Sequence, residues 1–583
     1  MIMSATLRRF SRSFGFPAKA KLTVVIIGLF FLLVAARAIV AYEIPYNRFR
    51  NYDEFLTLQM AQAPLLGLPP MFLSWPAGPL RMVLPAALFG DLAVHGKKLS
   101  VLGLLEYLSE IDRHPWHVFW VMRWIVICVS TAGICSLVVP LMKRTGSLAA
   151  AIGGVVFIAA VPAFWQRSVM AMPDAIALAL LCCSIACALG EESDTGGVGW
   201  SALLFGVAVA TKITIFQAAP FVLLLALQHR RHRIRALWTW VLMVPVGFAL
   251  GCPYGVAEPV RMLKSILGNL TMKEAGAQAA QAAGGPLVFQ MWTRLTELLP
   301  VWILIFVLGA VGLAIWRRLW WEFVAMSAGF AASAILVLRS PAFTPFYLLP
   351  LAPVLLVFAS LTLGIEIKRI SASMNLVSLR LFNTGMGGIG VLILLAGARG
   401  VQMLDLQGAI YYQGLFDSLH TLQRDFSNER VIVCPFLIPL AASGASSASL
   451  LRLADQVEST LVGGAAMKEW LETTLRLPEQ PARAMANHFT EYDRNLGTFL
   501  RVAAGSRAQP GYTLYIVGSR SDSSLARLGA LSREEAFSWL REGKADALLM
   551  DARLEPDLPP GGTTFGTPGG HQYILYRADS SAR

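Results

Sequence analysis

Charge is scarce in this chain. Only 15% of its 583 residues are Asp, Glu, Lys or Arg, 56% are hydrophobic, and the mean hydropathy is +0.58. Soluble globular chains carry about 25% charged residues, so the composition argues against a water-soluble enzyme of this length. It also excludes disordered and fibrous classes. Acids are the rarer sign, 36 against 49 Lys and Arg, which leaves a formal charge of +13. Cysteine is rare as well: Cys128, Cys135, Cys182, Cys183, Cys187, Cys252 and Cys434. No CxxC or Cys/His spacing occurs among them, so neither a disulfide scaffold nor a metal or redox site is expected. Internal repeats are absent.

What the chain has instead is a succession of apolar runs long enough for a hydrocarbon core of about 30 Å. The pattern predicts about eleven spans, near 22–41, 118–140, 148–165, 174–190, 200–211, 213–228, 235–252, 298–316, 321–338, 346–364 and 383–401. The third to sixth are short or closely spaced, which predicts broken or tilted helices. Ala36-Arg37-Ala38 resembles a signal-peptidase site, but the run before it is too long for a signal core, so a retained first span is expected. The bases cluster at span ends: Arg8, Arg9, Arg12, Lys19 and Lys21, then Lys143-Arg144, Arg230-Arg231-His232-Arg233, Arg317-Arg318 and Lys368-Arg369. That is the asymmetry of cytoplasmic loops, and it predicts a cytoplasmic N-terminus. The acidic loop Glu191-Glu192-Ser193-Asp194 falls on the same side, where acids weigh little. The basic excess is therefore a membrane signature, with no nucleic acid expected as partner.

Three outer segments are too long to be connectors. Tyr42–His117 alternates apolar stretches with Pro and Gly, as interfacial helices do. Pro253–Glu297 holds the Ala/Gln/Gly-rich loop Ala275–Gly285 and the sequon Asn269-Leu270-Thr271. After about Val401 the composition becomes ordinary. Arg430–Phe436, Tyr512–Gly518, Ala547–Met550 and Gln572–Tyr576 read as strands, and Arg533–Glu542 as a helix. The expected organisation is thus a polytopic α-helical membrane domain over 1–402 and an extracytoplasmic α/β domain over 403–583. The localisation that follows is a plasma (inner) membrane, multi-pass.

Few polar residues interrupt the apolar part, and they share the outer side. Asp53-Glu54 follows the first span and cannot face lipid. A helix N-terminus would equally suit two acids there. Gln166-Arg167 and Asp174 flank the junction of the third and fourth spans, where Asp174 could be an N-cap. Lys212 sits in Ala210-Thr211-Lys212-Ile213-Thr214, at a depth costing about 2.5–3.5 kcal/mol unless it is paired or reaches water. Arg339 ends the ninth span, and Tyr347 follows it. Cations opposite a carboxylate are what an anionic head group and a proton acceptor require.

In this order the residues resemble the membrane-embedded GT-C glycosyltransferases, in the branch of protein O-mannosyltransferases and lipid A aminoarabinose transferases. The similarity covers about residues 20–400. It runs through Asp53-Glu54, Trp75-Pro76-Ala77-Gly78-Pro79-Leu80, Asp174, Ala210-Thr211-Lys212, Cys252-Pro253-Tyr254 and Phe346-Tyr347-Leu348-Leu349-Pro350-Leu351-Ala352-Pro353. The family often has Arg directly before the Tyr of the last motif; here Phe346 stands there, and the nearest Arg is Arg339.

The resemblance implies transfer of a sugar from a polyprenyl-phosphate donor to a protein, lipid or glycan acceptor on the extracytoplasmic face. It implies Asp53, Glu54 and Asp174 as catalytic carboxylates, with Asp53 the base. It implies Arg167, Lys212, Tyr254, Arg339 and Tyr347 as substrate-binding residues. Neither a metal nor another cofactor is called for. A transporter, a lipid flippase or a polymer-export component is the alternative class. Midplane sites and paired repeats would mark a transporter, and this chain lacks the repeats.

Overall fold

The computed structural model describes residues 18–42, 116–190, 195–228, 232–260, 287–339, 345–373, 392–399, 417–433, 444–459, 511–517, 531–552, 558–566 and 572–578, with a few single positions between them. Asp53, Glu54, the Trp75–Leu80 motif, the 191–194 and 275–285 loops and the first half of the 383–401 run lie outside the described residues.

Helix α1 (Ala18–Tyr42) is continuous through Ala36-Arg37-Ala38. The next span is α2 (Trp116–Cys135) followed by α3 (Val138–Thr145). The break between them has a local cause: Pro140 has no N–H to offer the carbonyl of Ser136 four residues back. Gly146, at φ 66°, closes α3 in the left-handed region and donates its N–H to the Met142 carbonyl at 2.8 Å. Ser147 then caps α4 (Leu148–Ala159), accepting from the Ala150 N–H at 3.2 Å.

Two prolines shape the next turn. Pro162 opens α5 (Pro162–Ser168) and Pro173 opens α6 (Pro173–Ala188), and each forces the residue before it into an extended conformation. The α4–α5 pair is consequently bent by 71°. Helix α7 (Thr195–Thr211) stops where Lys212 is extended, at φ −151° and ψ 116°. A 3-10 turn (Ile213–Ala218) leads into α8 (Ala219–Leu227). There follow α9 (Arg233–Gly251), α10 (Pro253–Ala257), α11 (Leu287–Leu298), α12 (Val301–Trp316), α13 (Trp320–Arg339), a second 3-10 turn (Pro345–Leu348) and α14 (Leu351–Ser373).

Among the described residues, four helices are long and apolar enough to cross a membrane, or five if the bent pair is one span. Other apolar helices are shorter. Helices α4, α6 and α7 have 12, 16 and 17 residues. At 1.5 Å per residue they rise about 18, 24 and 26 Å, less than the roughly 30 Å of a hydrocarbon core. The apolar helices coincide with the runs read from the sequence, and several are shorter than a full crossing.

Two close approaches organise the bundle. A methyl group at Gly206 of α7 would strike the Val244 carbonyl of α9, and one at Gly247 would strike the Leu203 carbonyl. The two backbones therefore touch, as small residues allow in membranes. The basic span ends are gathered together. Arg144 donates to the Leu189 carbonyl at 3.2 Å, Lys368 lies against Gly146, Arg233 stacks over Trp321 at 5.2 Å, and Arg317 bonds Glu366 at 2.9 Å.

After the helices comes a five-stranded sheet: β1 (Arg430–Val433), β2 (Thr513–Ile516), β3 (Ala547–Asp551), β4 (Thr563–Phe565) and β5 (Tyr573–Arg577), in the order β2-β1-β3-β5-β4. Strands β2, β1 and β3 are parallel, with Ile432 opposite both Tyr515 and Leu548. β5 runs antiparallel to β3 and β4, with Leu549 opposite Leu575. Val431, Ile432 and Val433 are all buried, as a central parallel strand should be. Helix α15 (Ser447–Ser459) packs on β2, and α16 (Arg533–Arg541), held by a Ser532–Glu535 capping box, packs on β3. Each strand read from the sequence is present, and the short β4 is additional.

Candidate active site

At the ends opposite the gathered bases, the short helices stop around a few polar side chains. Pro173 fixes the start of α6, which places Asp174 in its first turn with a side chain that is 1% exposed. The carboxylate does not cap its own helix; Oδ1 takes a hydrogen-bonded ion pair from Lys212 Nζ instead. Lys212 arrives there because α7 ends one residue earlier and the extended backbone swings its side chain off the helix. Its ammonium also sits 5.5 Å from the centroid of the Tyr347 ring, in cation–π range. A Lys at this depth is thus paired, the condition its cost imposed.

The surrounding groups hold this arrangement. Gln217 Nε2 donates to the Thr214 carbonyl at 2.8 Å and to the Tyr347 carbonyl at 2.6 Å, which ties the two 3-10 turns together. Arg167 is buried on α5, its Nη1 donating to Met172 Sδ at 2.6 Å, and its charge acts on the Asp174 carboxylate. Asp174, Leu178, Lys212, Thr214, Ile215, Leu349 and Pro350 border a small recess. Within it Asp174 Oδ2 and Thr214 Oγ1 are buried without a hydrogen-bond partner. Both can accept from a hydroxyl, and the ammonium beside them attracts an oxyanion.

Of the residues expected from the sequence, Asp174, Arg167, Lys212 and Tyr347 come together. Tyr254 lies on α10 and Arg339 ends α13; their side chains, like Asp53 and Glu54 entirely, are outside the described part. Gln217 and Thr214 went unread as site residues. A lone amide within Ile213-Thr214-Ile215-Phe216-Gln217 was the available signal, because an uncompensated amide in an apolar run has to bond to something. Among the described residues no group of three or more His, Cys, Asp or Glu could hold a metal.

No protein-family model matches the chain, and no curated protein does. Among solved structures, the chain is similar to a crystal structure of ArnT from Cupriavidus metallidurans bound to undecaprenyl phosphate. The identity is 12%, the match covers 95% of this chain and 99% of that one, and the TM-score is 0.42. It is also similar to ArnT from Cupriavidus metallidurans in the apo state, with 13% identity, 94% and 98% coverage, and a TM-score of 0.45. At these scores the similarity carries no functional conclusion, and the site is read from its own residues.

Proposed function

We propose that this chain is an integral membrane glycosyltransferase that moves a sugar from a polyprenyl-phosphate donor to an acceptor on the extracytoplasmic face, with inversion. The observation that carries the reading is the Asp174–Lys212 pair over Tyr347, set in a recess where short apolar helices end. A carboxylate and an ammonium at membrane depth form a neutral pair that an anionic lipid head group can open. The phosphate takes Lys212, and Arg167 and Arg339 share its charge. The ordered motifs of the first 400 residues support the same reading.

In the reaction, the acceptor hydroxyl gives its proton to a carboxylate as its oxygen attacks the anomeric carbon. The bond from that carbon to the phosphate oxygen breaks on the opposite face, and polyprenyl phosphate leaves with its electron pair. Asp53, eleven residues beyond the end of α1, is the base in this reading, with Glu54 beside it. Asp174 fixes Lys212 until the phosphate arrives; its free Oδ2 and Thr214 Oγ1 suit sugar hydroxyls. Tyr254 and Tyr347 line the donor path. The membrane part, 1–402, carries the chemistry in eleven crossings, and 403–583 forms a separate extracytoplasmic domain that shapes the acceptor side.

The test is consumption of a radiolabelled polyprenyl-phosphate sugar by the purified protein. Asp53→Asn is expected to slow turnover about 100- to 10,000-fold with donor binding kept. Lys212→Gln is expected to raise KM, since a phosphate contact exists in ground and transition states alike. Near-wild-type turnover by folded Asp53→Asn would move the base to Glu54 or Asp174. Donor carried across vesicles unchanged would establish a transporter instead.

A further inference from the structure

Arg37 is a buried charge of the helical part, and Asp174, the buried acid of the described helices, is held by Lys212. Arg37 lies near the end of α1 with 1% of its surface exposed. Nη1 donates to Thr131 Oγ1 of α2 at 2.6 Å, and the guanidinium lies 5.0 Å from the Phe164 ring centroid on α5. Nε and Nη2 are buried without a hydrogen-bond partner. Beside Phe164, the indole N–H of Trp165 is buried without one as well.

A hydroxyl and an aromatic ring do not offset the desolvation of a full charge. The two open nitrogens also belong together: Nε–H and Nη2–H form one edge of the guanidinium, the fork that takes two oxygens of a phosphate or carboxylate at once. Thr131 occupies the other nitrogen and thereby holds the plane in place.

We propose that Arg37 is an anion-binding site, taking a phosphate-type oxyanion on its Nε/Nη2 edge at the junction of α1, α2 and α5. It is distinct from the Asp174–Lys212 recess and does not depend on glycosyl transfer. A phosphate-bearing lipid head group and a free inorganic oxyanion share the required chemistry.

The experiment measures binding of undecaprenyl phosphate, inorganic phosphate and neutral undecaprenol to the purified full-length protein, with thermal unfolding in parallel. The variants are Arg37→Gln, Arg37→Lys and Lys212→Gln. Loss of one fork of charged hydrogen bonds should weaken phosphate binding about tenfold to a hundredfold in Arg37→Gln. Arg37→Lys, which keeps the charge without the fork, should weaken it several-fold, and undecaprenol binding should not change. Loss confined to the lipid phosphate assigns the site to a head group; loss confined to inorganic phosphate assigns it to a free oxyanion. Wild-type affinity of Arg37→Gln for both phosphates overturns the site, whatever happens to its unfolding temperature. If Arg37→Gln does not fold, wild-type affinity of Arg37→Lys overturns it equally. Loss of lipid binding in Lys212→Gln alone would leave the donor reading standing and refute this one.

Discussion

Asp174 and Lys212 depend on each other: the carboxylate is buried, and the ammonium is hydrogen-bonded to it. Removing one member of a buried pair leaves an uncompensated charge, at a cost of about 3–5 kcal/mol. Asp174→Asn and Lys212→Met are therefore each expected to lower the unfolding temperature sharply. The double variant should cost less than the sum of the two, because it removes both charges. Additive losses in a thermal-unfolding cycle would mean that the pair is not formed.

Asp425 presents the exposed counterpart. Hydrogen bonds from Arg424 at 2.6 Å and Arg577 at 2.7 Å hold its carboxyl down to about 2, from 3.8. A depressed carboxyl contributes stability above its unfolded value and loses it as pH falls through the folded one. The wild-type chain should thus be more stable than Asp425→Asn at pH 5, with the gap narrowing below about 4 and closing near 2. A gap independent of pH in unfolding scans would remove the ionic explanation.

At the scale of elements, α7 and α9 are held by what they lack. Their backbones touch at Gly206 and Gly247, so added methyl groups have to push carbonyls apart. Gly206→Val should destabilise by about 1–3 kcal/mol or more through overpacking. Gly309 on α12 has nothing near its missing Cβ, and Gly309→Ala should be neutral or stabilising by up to about 1 kcal/mol. Equal unfolding temperatures for the two variants in detergent would refute the close approach. The same element scale explains the α4–α5 elbow. Pro162, which opens α5, is visible in the sequence as a breaker, while the size of the bend, 71°, is read only from the structure.

For the molecule as a whole, the contacts among Arg144, Leu189, Lys368, Arg233 and Arg317 put the basic span ends on one side and the Asp174 recess on the other. If the basic side is cytoplasmic, the C-terminal sheet faces outward, provided that the number of crossings before it is odd. A cysteine introduced as Ser521→Cys in a cysteine-free chain should then label from outside intact cells. Labelling only after the membrane is broken open would reverse the orientation.

Much of this was open to reading in the one-dimensional chain. Apolar runs dictate helices because a backbone in lipid has to bond to itself, and the 430–433, 513–516 and 547–551 strands announce themselves as short β-branched or aliphatic runs. The cost of a charge in lipid marks Lys212 in the sequence, and the resemblance adds Asp174 and Arg167. Sequence spacing could not pair them, because Asp174 and Lys212 are 38 positions apart and meet only through the packing of α6 on α7. Nor could it distinguish a run that crosses from one that stops early, since hydropathy measures composition and not where a chain bends. Arg37 shows the same division. Its residue type is plain in the sequence, but its buried, half-satisfied guanidinium exists only because three helices from distant segments close around it. Local chemistry determined which residues were costly to place; tertiary packing alone decided which of those costs were met by a partner.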